Sequence, residues 1–317
     1  MASVNNTSSD ITAVVQNYVN RRSLAQPKFV NGLLKYGIPA TIPKGNGGTG
    51  TWFRWNRLSL PSTYSETAEP TGQSMDAATY SATLVIIKDA VTTTEYGEAV
   101  RFASVIDQAY DELTLGLARK ANNILMSVLG NTSTGLHVQY SNGRSSFGQL
   151  TAGDRLTNDD IASAVAYLEQ NQAPGPYYVV LNRFDKQDLL QKDKDFRDLV
   201  TRTTLDPLKK NDFPTWAGAK IDYQDDCWRE NTEGTYAATG SVVSSYVFSE
   251  AAFGQVELGG KTGLKPKFHA QNISITGSTM SLGYWQPYQG LVLKPEWGVV
   301  MKSYASNPGS VASVSVS

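Results

Sequence analysis

Residues 105–129 read VIDQAYDELTLGLARKANNILMSVL. The apolar positions Ile106, Tyr110, Leu113, Leu117, Ala121, Ile124 and Val128 recur at spacings of four and three, which keeps them on one helical face. The spacing predicts one unbroken helix, about 37 Å long at a rise of ~1.5 Å per residue. Ser104 can cap its start and Asp107 lies in its first turn. Arg119 and Lys120 lie toward the other end and Gly130 follows, as the helix dipole and the C-terminal preference for glycine favour. Leu115, Ala118, Leu125 and Leu129 widen the apolar surface, so both sides of this helix are expected to be packed. Such a helix is a spine around which other elements gather.

Upstream of the spine lie two strand signals. Residues 78–94 (ATYSATLVIIKDAVTTT) are dense in Thr, Val and Ile, and residues 51–60 (TWFRWNRLSL) alternate bulky side chains with arginines. Between them, residues 61–77 are polar and turn-rich. Together they predict a long hairpin with a wide loop. A lone hairpin is marginal and its edges invite pairing, so something is expected to cover it. Further upstream, residues 11–20 place Ile11, Val14, Val15, Tyr18 and Val19 on one helical face. The chain then runs through Pro27, Pro39, Pro43 and the glycine-rich stretch 45–50. Extended chain of this kind is expected to lie along another subunit or to stay loose.

Charge divides the same region. Residues 1–60 carry Arg21, Arg22, Lys28, Lys35, Lys44, Arg54 and Arg57 against the single acid Asp10, while the whole chain is nearly neutral at -1. Residues 61–130 are acidic and include Glu66, Glu69, Asp76, Glu95 and Glu98. Opposite charges on separate surfaces steer and register an assembly. The candidate intersubunit contacts are therefore Arg21, Arg22, Lys28, Arg54 and Arg57 against Glu66, Glu69, Asp76 and Glu95, with Trp52 and Trp55 as packing anchors. A nucleic-acid reading, with the same bases on phosphates and the aromatics on bases, is the weaker alternative.

Downstream, residues 131–156 are rich in Ser, Gly and Thr. Thr157-Asn158-Asp159-Asp160 opens a helix over 158–170, buried through Ile161, Ala164 and Leu168. Tyr177–Leu181 is a continuous apolar run typical of a central strand. Charged helical segments near 184–200 and strands at 218–223 and 243–248 complete a mixed α/β region. Residues 267–303 return to strand, and the tail is small and polar.

The chemistry of an enzyme is not visible. The chain has no HExxH, GxGxxG, P-loop or GxSxG pattern. Its histidines, His137 and His269, read as ordinary residues, and Cys227, the only cysteine, as an inert thiol with no intrachain disulfide. Asp193, Asp195 and Asp198 lack the glycine and glutamate of a calcium loop. No metal or cofactor is expected. No apolar leader and no membrane-spanning run is visible, so synthesis in the cytoplasm is expected. Charged residues form 18% of the chain, below the usual ~25%, and there are 6 Trp, 16 Tyr and 10 Phe. Such a composition fits a surface largely covered by neighbours. A glycan-binding adhesin that uses those aromatics is the alternative, and an Asp/Glu glycosidase the next.

Taken in order, arm, hairpin, spine, mixed domain and returning strands resemble the major capsid protein of tailed bacteriophages, with the HK97-like fold, in its podophage-type branch. The likeness rests on ITAVVQNYVNRR (11–22), on Leu24, Pro27, Lys28, Phe29 and Val30, and on IPKGNGGTGTWFRWNRL (42–58). It continues through TAEPTGQSMD (67–76), EYGEAVRFASVID (95–107), AFGQVELGG (252–260) and PEWGVVMKS (295–303). It spans nearly the whole chain, through order and spacing rather than any single motif.

The resemblance implies an α+β fold with an N-terminal arm at 1–45 and an E-loop hairpin at 46–94. A P-domain with the spine helix follows at 95–130, an A-domain at 131–264, and P-domain return strands with the tail at 265–317. It implies self-assembly as hexamers and pentamers into an icosahedral virion shell around double-stranded DNA, touched without sequence preference. It implies a portal, a decoration protein in some members and, because no scaffolding segment precedes the arm, a separate scaffolding protein. Some members crosslink a hairpin Lys to an Asn. Here no Lys lies between Lys44 and Lys88, so a shell without covalent bonds between subunits is expected.

Overall fold

The computed structural model describes residues 32–42, 48–56, 58–60, 72–94, 105–192, 215–258, 267–272 and 279–305. The elements are β1 (Ile38–Ile42), β2 (Thr49–Trp55), β3 (Ala77–Thr83), β4 (Val85–Thr94), α1 (Val105–Leu129), β5 (His137–Tyr140), α2 (Asn158–Gln170), β6 (Tyr177–Asn182), α3 (Arg183–Lys192), β7 (Thr215–Trp216), β8 (Ala219–Gln224), β9 (Arg229–Thr232), β10 (Thr235–Tyr236), β11 (Val242–Ser249), β12 (Phe253–Leu258), β13 (Lys267–Asn272), β14 (Thr279–Val292) and β15 (Gly298–Tyr304). The expected helix at 11–20, the anchors Arg21, Arg22 and Lys28, the residues Arg57, Glu66, Glu69 and Glu95, and Asp193, Asp195 and Asp198 lie outside the described residues.

The chain folds as two compact units. The described part of the first holds residues 89–94, 105–115, 268–272 and 279–284. Here the start of β14 passes the end of β4 so closely that a Cβ on Gly283 would lie 3.0 Å from that of Ala90.

The second unit is built on a sheet centred on β11. This strand pairs antiparallel with β15 along its length, with β6 over its second half and with β9 over its first residues. β6 runs parallel to β8, and β15 parallel to β5. Side chains alternate across each strand. Val179, Leu181, Val247, Val299 and Met301 meet Ile161, Ala164, Val165 and Leu168 of α2. On the other face Val180, Tyr246, Phe248 and Val300 meet Leu125, Met126 and Leu129 of α1. Helices on both faces explain why these strands read as continuous apolar runs rather than alternating ones.

The limits of α1 and α2 coincide with those expected from spacing and capping. At α2, the Thr157 side chain accepts from the Asp160 backbone N–H while the Asp160 carboxylate accepts from that of Thr157, a reciprocal capping box. The buried face of α1 differs from the expected stripe. Ala109, Leu113, Leu117, Ala121, Leu125 and Leu129 are buried, every fourth residue. Four residues turn a helix about 40° beyond a full circle, so the buried strip winds around α1. Leu113 and Leu117 lie on it, Ile124 is half-buried, and Tyr110 is 48% exposed. The Ile106 side chain lies outside the described residues.

Two further expectations are corrected. Residues 78–94 form two strands that break at Leu84. The Leu84 N–H donates to the Gly48 carbonyl at 2.8 Å and closes the base of the β2–β3 hairpin, and its side chain packs with Ile42, Ala82 and Val256. The second correction concerns the arm. Residues 32–42 pack on the body of their own chain rather than lying free. Leu33 is fully buried with Val180, Phe248 and Phe253. Lys35 Nζ lies 2.7 Å from the Asp222 carboxylate, to which the Tyr36 hydroxyl also donates, at 3.1 Å. β1 then runs parallel to β12, which pairs antiparallel with β14. Asp222 is more than 180 residues away in sequence from Lys35 and Tyr36, so local composition did not announce it.

Candidate functional site

The β2–β3 hairpin is in register from Thr49↔Thr83 to Trp55↔Ala77. It continues past its strands, where the Asn56 N–H donates to the Asp76 carbonyl at 2.7 Å and Ser59 Oγ donates to Gln73 Oε1 at 2.9 Å. Because alternate residues face opposite sides, the hairpin has two unlike faces.

One face is covered by the chain itself. It carries Gly50, Trp52, Arg54, Ala78, Tyr80 and Ala82. A Cβ on Gly50 would lie 2.7 Å from the Val256 methyls, and one on Gly254 would lie 2.5 Å from the Trp52 ring. Both glycines therefore permit close approach. Arg54 donates to the Tyr80 hydroxyl at 3.0 Å and stacks 5.3 Å from the Trp297 ring centre. Trp52 and Arg54 thus find their partners inside the chain.

The other face is open. Phe53 is 71% exposed and Trp55 57% exposed, amid Thr49, Thr51, Thr79, Ser81 and Thr83. Leu58, Leu60 and Met75 extend the exposed apolar surface along the hairpin, and Val85 and Ile86 follow it. Asp76 is exposed beside them. Single exposed apolar residues are ordinary, but a run of this kind marks an interaction surface. Phe53 belongs to the aromatics of 52–55 that the sequence marks as packing anchors. Strand alternation alone puts it on the same side as Trp55.

The large sheet also carries two buried polar centres. In the first, the Asp185 carboxylate is enclosed at the start of α3, where it accepts from Asn182 Nδ2 and Ser245 Oγ, both at 2.6 Å, and from Ser303 Oγ. Asn182 in turn caps α3, its side-chain oxygen accepting from the backbone N–H of Phe184 and Asp185. Burial raises the Asp185 pKa from 3.8 to about 6, with Asp188 adding to the rise and the three donors opposing it. The folded state therefore holds this proton more tightly than the unfolded chain. Its contribution to stability is largest below pH ~4, falls as pH rises through about 6 and is flat above. The drop is about 3 kcal/mol at ~1.36 kcal/mol per pH unit. Urea unfolding between pH 4 and 7 checks this: the slope is expected to be absent from Asp185→Asn, so that the difference between wild type and variant carries it, and a variant with the wild-type slope refutes the assignment.

The second centre pairs Lys302 of β15 with Glu230 of β9, Nζ to Oε2 at 2.8 Å, both withdrawn from solvent. Trp228 Nε1 donates to Glu230 Oε1 at 2.7 Å. Neither centre opens to a substrate. Burial also pushes the Cys227 thiol well up from its usual range, which keeps it unreactive. His137 stacks on Tyr167 with ring centres 4.3 Å apart. Among the described residues no group of three or more His, Cys, Asp or Glu is placed to hold a metal ion, and no helix is long and apolar enough to cross a membrane.

No protein-family model and no curated protein matches the chain. Solved structures do. The capsid of Ralstonia phage GP4 aligns at a TM-score of 0.67 and 12% identity, over 89% of this chain and 96% of that one. The acidic stable capsid structure of Helicobacter pylori bacteriophage KHP30 aligns at 0.65 and 8% identity, over 96% and 99% of the two chains. The capsid of the cyanophage P-SCSP1u aligns at 0.62 and 15% identity, over 89% and 91%. The chain therefore has an α+β fold, with mixed sheets and few helices, similar to that of HK97-like phage capsid proteins.

Proposed function

We propose that this chain is a major capsid protein of a tailed phage. It is not an enzyme. Copies assemble as hexamers and pentamers into an icosahedral shell around double-stranded DNA. The observation that carries this reading is the similarity of fold to the GP4 capsid across nearly the full length of both chains. The open aromatic face of the hairpin supports it, because a shell offers a neighbouring copy to cover that face.

In this reading residues 46–94 are the E-loop, which overlaps an adjacent copy through Phe53, Trp55 and Asp76. α1 is the spine of the P-domain, and 131–264 is the A-domain. The arm that reaches a neighbour shortens to residues before 32, with Arg21, Arg22 and Lys28 meeting acids of the next subunit. Arg57, Glu66, Glu69 and Glu95 keep their proposed intersubunit roles. A separate scaffolding protein, a portal and, in some assemblies, a decoration protein complete the particle, as the podophage-type resemblance implies. The protein is made in the host bacterial cytoplasm and ends in the virion.

Negative-stain imaging of the purified protein, alone and with a candidate scaffolding protein, tests the reading. Closed shells or regular capsomers are the expected result. A trimer that binds glycans and never closes would favour the adhesin instead.

A further inference from the structure

The pair Lys302–Glu230 has more around it than an ion pair needs. Both side chains are fully buried, and taking two charges out of water costs several kcal/mol each unless the surroundings compensate. A second carboxylate, Glu233, lies 3.7 Å from Lys302 Nζ and accepts a hydrogen bond from the Tyr140 hydroxyl. The Phe147 ring covers the amine, its centre 5.5 Å away. Trp228 Nε1 points at Glu230 Oε1, the oxygen that does not face the amine. A buried amine, a buried carboxyl group at contact distance, a half-exposed second carboxylate at the edge of the site and a donor on the other oxygen are the parts that acyl transfer uses.

We propose that Lys302 and Glu230 condense to an intrachain isopeptide bond. Within the proposed step, the Lys302 ammonium first passes a proton to Glu230 Oε2, 2.8 Å away, which frees the Nζ lone pair. The Lys302 Nζ lone pair attacks Glu230 Cδ and forms the C–N bond. Negative charge develops on Oε1, where the Trp228 N–H stabilises it. Glu233 takes the proton released by the nitrogen and returns it to Oε2, which departs with it as water. The balance is one ammonium and one carboxylate converted to one amide and one water, with no oxidant or reductant.

The product replaces two buried charges with a neutral group. It also ties β9 to β15 across β11, where Glu230 pairs beside Val242 and Lys302 beside Ser244. The closed loop spans a separation of 72 residues, so the link restricts the unfolded chain as a disulfide would. It lies within one subunit and is separate from any crosslink between copies.

Intact mass of the full-length denatured protein tests the proposal. A mass lower than the sequence mass by one water is expected, with a proteolytic fragment that joins the peptides of Glu230 and Lys302. The full sequence mass would overturn it. Lys302→Arg keeps the buried charge but cannot form this bond, so it is expected to restore the full mass; a retained deficit would also overturn it. In freshly synthesised protein followed by mass over time, Glu233→Gln is expected to slow the loss of water at least tenfold. An unchanged rate would overturn the proton-transfer role of Glu233.

Discussion

Replacing Phe53 and Trp55 together with Ser is expected to leave a folded subunit that no longer closes into particles. Both rings stand on the open face of the hairpin. Their removal therefore leaves the covered face, with Trp52 over Gly254 and Arg54 on Trp297, in place. Buried aromatic anchors at interfaces cost roughly 2–4 kcal/mol each when truncated. In a shell that loss recurs at every copy, so a modest deficit per contact suffices to prevent closure. Light scattering and electron microscopy read the assembly, and circular dichroism and urea unfolding read the fold. Normal particles from the double variant would remove the hairpin face from the assembly surface. Trp52→Ala is a useful contrast, since its first effect falls on the stability of the subunit.

Phe253→Ala is expected to lower subunit stability by about 3–5 kcal/mol, the range for deleting a buried phenyl ring. Phe253 is fully buried and meets Phe248 edge-on, with ring centres 5.1 Å apart. It also fills the space beneath the turn at Gly37, where φ is +93° and an added Cβ would lie 2.5 Å from the ring. The cavity would thus open between β12 and the segment 32–42. Stabilities of domains are only about 5–15 kcal/mol, so the urea midpoint should fall sharply, with amide protection at residues 33–42 lost first. A change below ~1 kcal/mol would mean that this front segment is not anchored as described.

The parts of the molecule readable from sequence were those governed by local rules. α1 and α2 were legible because a helix writes its period and its caps into adjacent residues: Thr157 with Asp160, and the apolar spacing up to Leu129. β6 was legible because a strand covered on both faces is apolar throughout. What escaped depends on distant partners. Nothing near Leu33 or Tyr36 announces Val180 or Asp222. Nothing in the run 78–94 announces that Leu84 turns the chain from the hairpin into another sheet. Asp185 and Lys302 lie in stretches whose charges look solvated until the sheet encloses them. At the candidate surface, charge and bulk pointed to residues 52–57, but only the strand's alternation separates Trp52 and Arg54, which the chain uses itself, from Phe53 and Trp55, which it leaves open.

The most direct measurement is a cryo-electron-microscopy reconstruction of the assembled protein, read at the hairpin. The expected result is a closed icosahedral lattice in which an adjacent copy covers Phe53 and Trp55. A monodisperse single subunit under assembly conditions, with both rings bare to solvent, would contradict it.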